Sequence, residues 1–187
     1  MLNLNNILKV LEFGNSEEKI RTIEELENTT DPQIIKNMIL QFDDDDIKVR
    51  GEVFSSLTLN KNKISDVLIE NLSSTSKNIR GFVSLVLANR EEDSAIPEIR
   101  KLVKDERSMV RACAIGSLTF MKDKSSMEMI CEAISDSNLE VQKSAIYAAI
   151  KMDFEIPDKQ LEKIKKEDSE MIELISKIKT KSGPEGI

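Results

Sequence analysis

The sequence predicts an all-α fold, a right-handed α-solenoid of about six antiparallel helix pairs, and two observations support this. First, a β-branched residue followed by a polar residue recurs along the chain, and a period near 30 residues is typical of stacked helix pairs. Second, the alternating apolar and polar runs typical of strands are missing, and only 6 of the 187 residues are glycine. The repeated dipeptides are Ile20-Arg21, Val49-Arg50, Ile79-Arg80, Val110-Arg111 and Val141-Gln142.

The second helix of each pair is predicted from the residues around this dipeptide. If the β-branched residue is position 0, the residues at 0, +4 and +8 are apolar and share one helix face. Asp46, Ser76 and Asn138 at position −3 are good N-caps, whereas Arg107 departs from the pattern and Ser108 is the expected cap there. The predicted core residues are Val49, Val53, Leu57, Ile79, Val83, Leu87, Val110, Ala114, Leu118, Val141, Ala145 and Ala149.

An amphipathic run before each of these helices predicts the first helix of the pair. Asp31-Pro32 opens one such run, because proline suits the first helical turn. Residues 171–178 predict a terminal second helix, and the polar residues 182–187 predict a flexible tail. We therefore expect a single domain over residues 1–181, built from units at 3–29, 30–60, 61–91, 92–122, 123–153 and 154–181.

Composition argues against several classes of partner. The net charge is −7, aromatic residues make up 4% of the chain, and tryptophan is absent, so nucleic acid is a poor candidate ligand. The N-terminus has no basic region or cleavage site of a signal peptide, and no stretch reaches the roughly 18 apolar residues of a membrane helix. Cys113 and Cys131 are expected to be free thiols. These features predict a cytoplasmic protein that binds neither membranes nor nucleic acid.

The repeated pattern resembles the HEAT-like repeats of phycobilisome-lyase-type proteins over roughly residues 3 to 180. It stands here as Asp44…Val49-Arg50, Asp105…Val110-Arg111 and Asp136…Val141-Gln142. The resemblance implies a ladder of turn aspartates and arginines between adjacent units, with Ser74 and Gln142 as interruptions. The alternative is that the arginines form an anion-binding stripe. The ladder residues implied are Asp44, Arg50, Arg80, Asp105, Arg111 and Asp136.

In such arrays the second helices line the concave side, so positions +2, +6 and +9 would face it. Only one of the twelve residues at these positions is charged, where about four would be expected from a charged content of 33%. This favours a low-charge groove for an apolar or helical segment of another protein. The alternative is that small residues simply allow the helices to pack closely. The candidate partner-binding residues are Gly81, Phe82, Leu85, Ala112, Cys113, Gly116, Lys143 and Tyr147.

No catalytic chemistry is predicted. The chain has no histidine, which excludes the di-iron site of deoxyhypusine hydroxylase, an enzyme with similar repeats, and two cysteines cannot complete a tetrahedral zinc shell. The acidic run Asp43–Asp46 does not fit a calcium loop, because Lys48 and Phe54 stand where glycine and glutamate are required. The uncharged face also differs from the basic face of alkylpurine DNA glycosylases. We expect no metal and no cofactor.

The function predicted from the sequence is therefore a non-catalytic scaffold or adaptor that binds another protein through its concave surface. The alternative is an accessory subunit of an enzyme, such as a bilin-lyase-type complex. Nucleic-acid binding is the least favoured function, because the chain is acidic.

Overall fold

The computed structural model describes residues 3–156 and Glu173. Between residues 3 and 156 the chain forms α-helices joined by short turns and contains no strand, which confirms the predicted all-α fold there. The helix after Pro157, the helix at 171–178 apart from Glu173, and the tail at 182–187 lie outside the described residues. The helices are α1 (Leu4–Phe13), α2 (Ser16–Glu25), α3 (Pro32–Leu40), α4 (Ile47–Leu59), α5 (Ser65–Glu70), α6 (Lys77–Asn89), α7 (Ile96–Leu102), α8 (Ser108–Phe120), α9 (Met127–Glu132) and α10 (Leu139–Lys151).

The even-numbered helices are the second helices of the pairs, and their N-caps reveal the repeat. Asn15, Asp46, Ser76 and Asn138 each accept a backbone N–H of the first turn of the helix that follows. Arg107 occupies the equivalent position before α8, and its side chain makes no capping bond. Four of the five helix starts are therefore satisfied by a short polar side chain, as helix N-termini require.

The first repeat has a different register from the one predicted. The N-cap of α2 is Asn15, and counting four residues on from each N-cap reaches Lys19, Arg50, Arg80, Arg111 and Gln142. Lys19, not Arg21, is therefore the equivalent of the repeated arginine. Arg21 is instead largely exposed, with 69% of its side chain accessible. The prediction that Ile20-Arg21 opens the repeat series is wrong, because the capping position and not the dipeptide sets the helix start.

The odd-numbered helices are shorter. In α3, Pro32 stands in the first turn behind the N-cap Asp31, whose side chain accepts from Gln33 and Ile34, as predicted from the Asp-Pro pair. After α3, α5 and α9 the chain tightens into a 3₁₀ turn at 41–43, 71–73 and 133–135. Each of these turns ends at a residue with extended backbone, Asp44, Ser74 or Asp136, which leads into the following second helix.

Three second helices end in a left-handed residue that is not glycine. Glu91, Lys122 and Asp153 each have φ of 55° and stand two residues beyond the last residue of α6, α8 and α10. After α8, for example, the N–H of Asp123 donates to Leu118 and the N–H of Lys122 donates to Thr119. This is the Schellman arrangement, in which the last carbonyls of a helix are satisfied by the turn that follows.

The chain divides into two compact units, Met1–Glu98 and Ile99–Ile187, and the division falls inside α7. In the first unit, α2, α4 and α6 pack in succession, and α3 contacts α1, α5 and α6. In the second unit, α8 and α9 both pack on α10. All twelve core residues predicted from positions 0, +4 and +8 are at most 2% exposed. The spacing of apolar residues therefore identified the buried face of α4, α6, α8 and α10.

Candidate functional site

The predicted partner-binding residues of the second unit lie on the outward-facing sides of α8 and α10. Along α8, Ala112 and Cys113 are half-buried and Gly116 is exposed. A side chain added at Gly116 would meet no atom within 4 Å, so this glycine is not needed for close packing. Phe120, one turn beyond Gly116, is 55% exposed although sequence reasoning did not select it. This side of α8 is therefore uncharged and open.

The equivalent face of α10 carries Lys143 and Tyr147, which follow the N-cap Asn138 at the same distances as Ala112 and Gly116 follow Arg107. Tyr147 is 54% exposed. Lys143 has only 15% of its side chain accessible and lies 3.7 Å from the carboxylate of Glu140. Since α8 and α10 pack on each other, the second unit presents two aromatic rings on neighbouring helices.

The residues predicted in the first unit are less accessible. Gly81 is buried, Phe82 is half-buried, and Leu85 is half-buried. The ring of Phe82 stacks on Phe42, with 5.2 Å between ring centroids and 20° between planes. Phe42 follows α3, so the pair ties the end of that helix to α6. Phe82 therefore has a packing role that the helical-wheel argument did not anticipate. The burial of Gly81 agrees with the alternative that small residues allow close packing.

On α4 the corresponding face contains Gly51, which is exposed and has open space where a side chain would stand. Beside it, the pKa of Glu52 lies above its ordinary value because of partial burial and the nearby carboxylates of Glu24 and Glu27. This face is thus more acidic than the face of α8. The explanation of Gly51 and Gly116 as close-packing residues does not hold at either position.

The arginines of the repeat bind backbone oxygens of the turn that precedes their own helix. Nη1 of Arg80 donates to the carbonyl oxygens of Ser74 and Thr75, at 2.8 and 3.1 Å. Nε2 of Gln142 donates in the same way to the carbonyl oxygen of Asp136. Glutamine therefore keeps this part of the arrangement, since its amide donates as the guanidinium does.

The turn carboxylates, in contrast, bind a cation of the preceding repeat. Both carboxylate oxygens of Asp136 accept from Arg111, at 2.7 and 2.8 Å. Asp44 accepts from Nζ of Lys19 at 2.6 Å. Each pair spans 25 residues of sequence. Burial raises the pKa of Asp136, but the bonds from Arg111 and the N–H of Asn138 outweigh it, so the pKa lies below the ordinary value.

The acidic run Asp43–Asp46 is used in structural contacts. Asp43 accepts from Ser76 and Asn78 of the next repeat, at 2.7 and 2.9 Å. Asp46 caps α4 by accepting from the N–H of Lys48. Within the described residues no group of three or more cysteine, aspartate or glutamate side chains is arranged to hold a metal ion.

Two arginine sites, one of them buried, were not predicted. Arg90, whose side chain is 7% exposed, donates from Nη1 to the carbonyl oxygens of Leu57 and Asn60 and from Nη2 to that of Asn62. This places a cation at the C-terminal end of α4, where carbonyl groups lack helical partners. The repeat pattern does not identify Arg90, because in the sequence an arginine at the end of a helix cannot be distinguished from an ordinary surface arginine.

The second site joins α7 to the turn after α8. Nε and Nη2 of Arg100 donate to the two carboxylate oxygens of Asp123, at 2.8 and 2.7 Å. Nε also lies 3.0 Å from Oγ of Ser126. The hydrogen bond from Arg100 holds the pKa of Asp123 below its ordinary value. Only the fold brings these groups together, since 23 residues separate Arg100 from Asp123.

Both thiols are free, with Cys131 buried and Cys113 half-buried. Burial raises the pKa of each to about 11. A thiol with so high a pKa is almost wholly protonated at neutral pH and is a poor nucleophile. None of the helices between residues 3 and 156 combines the length and the apolarity that crossing a bilayer requires.

Comparison with known proteins supports the repeat fold. The sequence pattern of HEAT repeats matches residues 65–151, so the chain carries HEAT-like repeats over that span. No curated protein matches the sequence significantly. The phycobilisome-lyase subtype stays a prediction.

Three solved structures show the same fold at low sequence identity. An engineered protein is 19% identical with a TM-score of 0.52, and the match covers 98% of each chain. A structure described as "TOG-tubulin binding specificity promotes microtubule dynamics and mitotic spindle formation" is 18% identical with a TM-score of 0.53, over 95% of this chain and 82% of that one. A designed armadillo repeat protein in complex with the peptide (KR)4 is 13% identical with a TM-score of 0.52, over 96% and 99%. These likenesses establish a helical repeat protein.

Proposed function

We propose that this protein is a non-catalytic scaffold or adaptor that binds another protein through the outward face of α8 and α10. The observation that carries the proposal is the placement of its aromatic residues. The chain has only six phenylalanines and one tyrosine, and four of these seven rings are exposed. They are Phe13 at 73%, Phe120 at 55%, Tyr147 at 54% and Phe154 at 42%.

Most rings of this chain lie outside its core, since Phe42 is the one aromatic residue among the buried hydrophobic residues that the structure describes. Aromatic side chains offer large contact areas with few rotatable bonds and are favoured anchors in protein interfaces. Phe120 and Tyr147 lie on neighbouring helices, and the open position at Gly116 leaves room for a partner to approach the backbone of α8. We assign this face to the concave side because second helices line that side in HEAT-like arrays.

A protein partner fits this face better than nucleic acid does. Only 15% of the Lys143 side chain is accessible, and its ammonium group is paired with the carboxylate of Glu140. The chain as a whole has a net charge of −7. Nucleic-acid binding depends on cations that neutralise phosphates. The solved relatives include one described by tubulin binding and one bound to a peptide, which supports a protein ligand for this repeat fold.

The proposal is tested by capturing partners from the native source with the wild-type chain and with Phe120→Asp/Tyr147→Asp. Both side chains are more than half exposed, so the double variant should keep its helical spectrum and melting temperature while losing the partner. Phe13→Asp is the matched control, because Phe13 is more exposed still but lies on α1. Unchanged capture by the double variant would contradict the proposal. Recovery of a chromoprotein or a lyase subunit would favour the accessory-subunit alternative.

A further inference from the structure

The guanidinium of Arg50 is held in place by the turn before its own helix. Nη1 donates to the carbonyl oxygens of Asp44 and Asp45, at 2.6 and 3.0 Å. Arg111 is anchored in the same manner, since its Nη1 donates to the carbonyl oxygens of Asp105 and Glu106 at 2.9 and 3.2 Å. The two arginines are thus oriented alike, each with the Nε and Nη2 edge of the guanidinium directed away from its own turn.

The two arginines differ in what the Nε and Nη2 edge of the guanidinium binds. Nε and Nη2 of Arg111 both donate to the carboxylate of Asp136 in the next turn. The equivalent of Asp136 in the turn facing Arg50 is Ser74. The equivalence is structural as well as sequential, because both residues accept the N–H two places later, Asp136 from Asn138 at 2.8 Å and Ser74 from Ser76 at 3.2 Å.

Serine cannot complete the pair as aspartate does, because its side chain is shorter and carries no charge. Within the part of the chain that the structure describes, Nε and Nη2 of Arg50 make no hydrogen bond. The turns themselves are in contact, since Asp43 accepts from Ser76 at 2.7 Å. The acidic groups of the Asp43–Asp46 turn are engaged elsewhere: Asp43 in this contact, Asp44 with Lys19, and Asp46, which interacts with Arg50 only through its charge, with the N–H of Lys48.

We propose that Arg50 and Ser74 form an oxyanion-binding site, which takes a carboxylate or a phosphoryl group of a ligand in the place that Asp136 occupies against Arg111. The free guanidinium edge supplies two parallel N–H donors, which match two oxygens of such a group. The hydroxyl of Ser74 supplies a third donor, because its oxygen, and not its hydrogen, is used by the N–H of Ser76. The site is preorganised, since the backbone bonds of Nη1 fix the arginine before the ligand arrives.

The test uses inorganic phosphate and acetate as separate probes at constant ionic strength, with the Nε–H resonance of each arginine as the readout. The resonance of Arg50 should shift and saturate with at least one probe, and the stronger probe identifies the phosphoryl or carboxylate class. In wild-type protein the resonance of Arg111 should not respond, because Asp136 fills its site. Ser74→Asp should abolish the response of Arg50 by supplying the carboxylate internally.

Asp136→Ser is the reciprocal variant and should make Arg111 respond to the same probe. Arg107, whose side chain is 61% exposed, reports general ionic screening. A linear response of Arg50 equal to that of Arg107 would overturn the proposal, and so would a saturating response that survives in Ser74→Asp. Loss of response in Ser74→Asp, together with a gained response in Asp136→Ser, would establish the site.

Discussion

Arg111 and Asp136 are joined by two parallel hydrogen bonds of 2.7 and 2.8 Å, although 25 residues of sequence separate them. The side chains are only 14% and 12% exposed. The same arginine also binds the turn before α8, so one guanidinium connects the start of α8 to the start of α10. This connection between repeats is the basis of the first prediction.

Replacing Asp136 by asparagine should lower the free energy of unfolding by about 1.5–3 kcal/mol, the range for hydrogen bonds to charged groups. The loss arises because the guanidinium of Arg111 stays partly buried and poorly hydrated but no longer has a carboxylate that compensates its charge. Urea unfolding measures the effect. Arg21→Gln is the control: it removes an exposed pair with Glu17, and the midpoint should hardly move. Equal effects of the two substitutions would show that the ladder pair contributes no more than a surface pair.

The Arg100–Asp123 pair should make stability depend on pH in the acid range. The hydrogen bond from Arg100 lowers the pKa of Asp123 in the folded state, so the folded state binds this proton less readily than the unfolded state. The stabilisation is therefore complete above the unfolded-state pKa of about 3.9 and is lost as the pH falls through the lower folded-state pKa. The difference in urea midpoint between wild type and Asp123→Asn should be largest near neutrality and shrink on acidification. A constant difference would contradict the assignment.

Lys122→Gly should stabilise the protein. Lys122 has φ of 55° after α8, a conformation that costs a residue with a side chain about 1 kcal/mol and that glycine adopts freely. The urea midpoint should rise by a corresponding amount. Lys122→Ala serves as the control, because it removes the same charge and keeps the unfavourable conformation; a gain of the same size in alanine would refute the explanation.

Gly116→Ala should also stabilise the protein, for the opposite reason. Gly116 is in the middle of α8 with helical backbone, and an added methyl group would meet no atom within 4 Å. Alanine is favoured over glycine in helix interiors by about 1 kcal/mol. Thermal unfolding followed by circular dichroism measures the gain. A loss of stability would mean that this position is more tightly packed than the structure shows.

Leu118→Ala should cost about 2–5 kcal/mol of unfolding free energy, as large-to-small substitutions in cores do. Leu118 is fully buried on the inner face of α8 together with Val110 and Ala114. The urea midpoint should fall without a change in the unfolding slope. A change equivalent to less than about 0.5 kcal/mol would be typical of a surface residue and would contradict the assigned helix face.

The register of α2 cannot be predicted from the repeat period alone. The Ile20-Arg21 dipeptide has the same residue types as Val49-Arg50, so the dipeptide itself does not show that its position in the helix differs. The capping box between Asn15 and Glu18 starts the helix earlier than the dipeptide implies. The contact of Lys19 with Asp44 then reveals which cation takes the position of the repeated arginine.

The sequence by itself determined the repeat architecture and the inner faces of α4, α6, α8 and α10, because burying one face of a helix requires apolar residues at a spacing of three or four. Local signals also determined the helix starts at Asp46, Ser76 and Asn138, since a capping side chain acts on the backbone only two or three residues away. The tertiary structure alone decided which outward residues are accessible and which cation meets which carboxylate. Phe82 stacks on Phe42, Tyr147 is exposed, and the guanidinium of Arg111 meets the carboxylate of Asp136. These outcomes depend on residues brought together from different repeats, and a pattern within one helix carries no information about its neighbours.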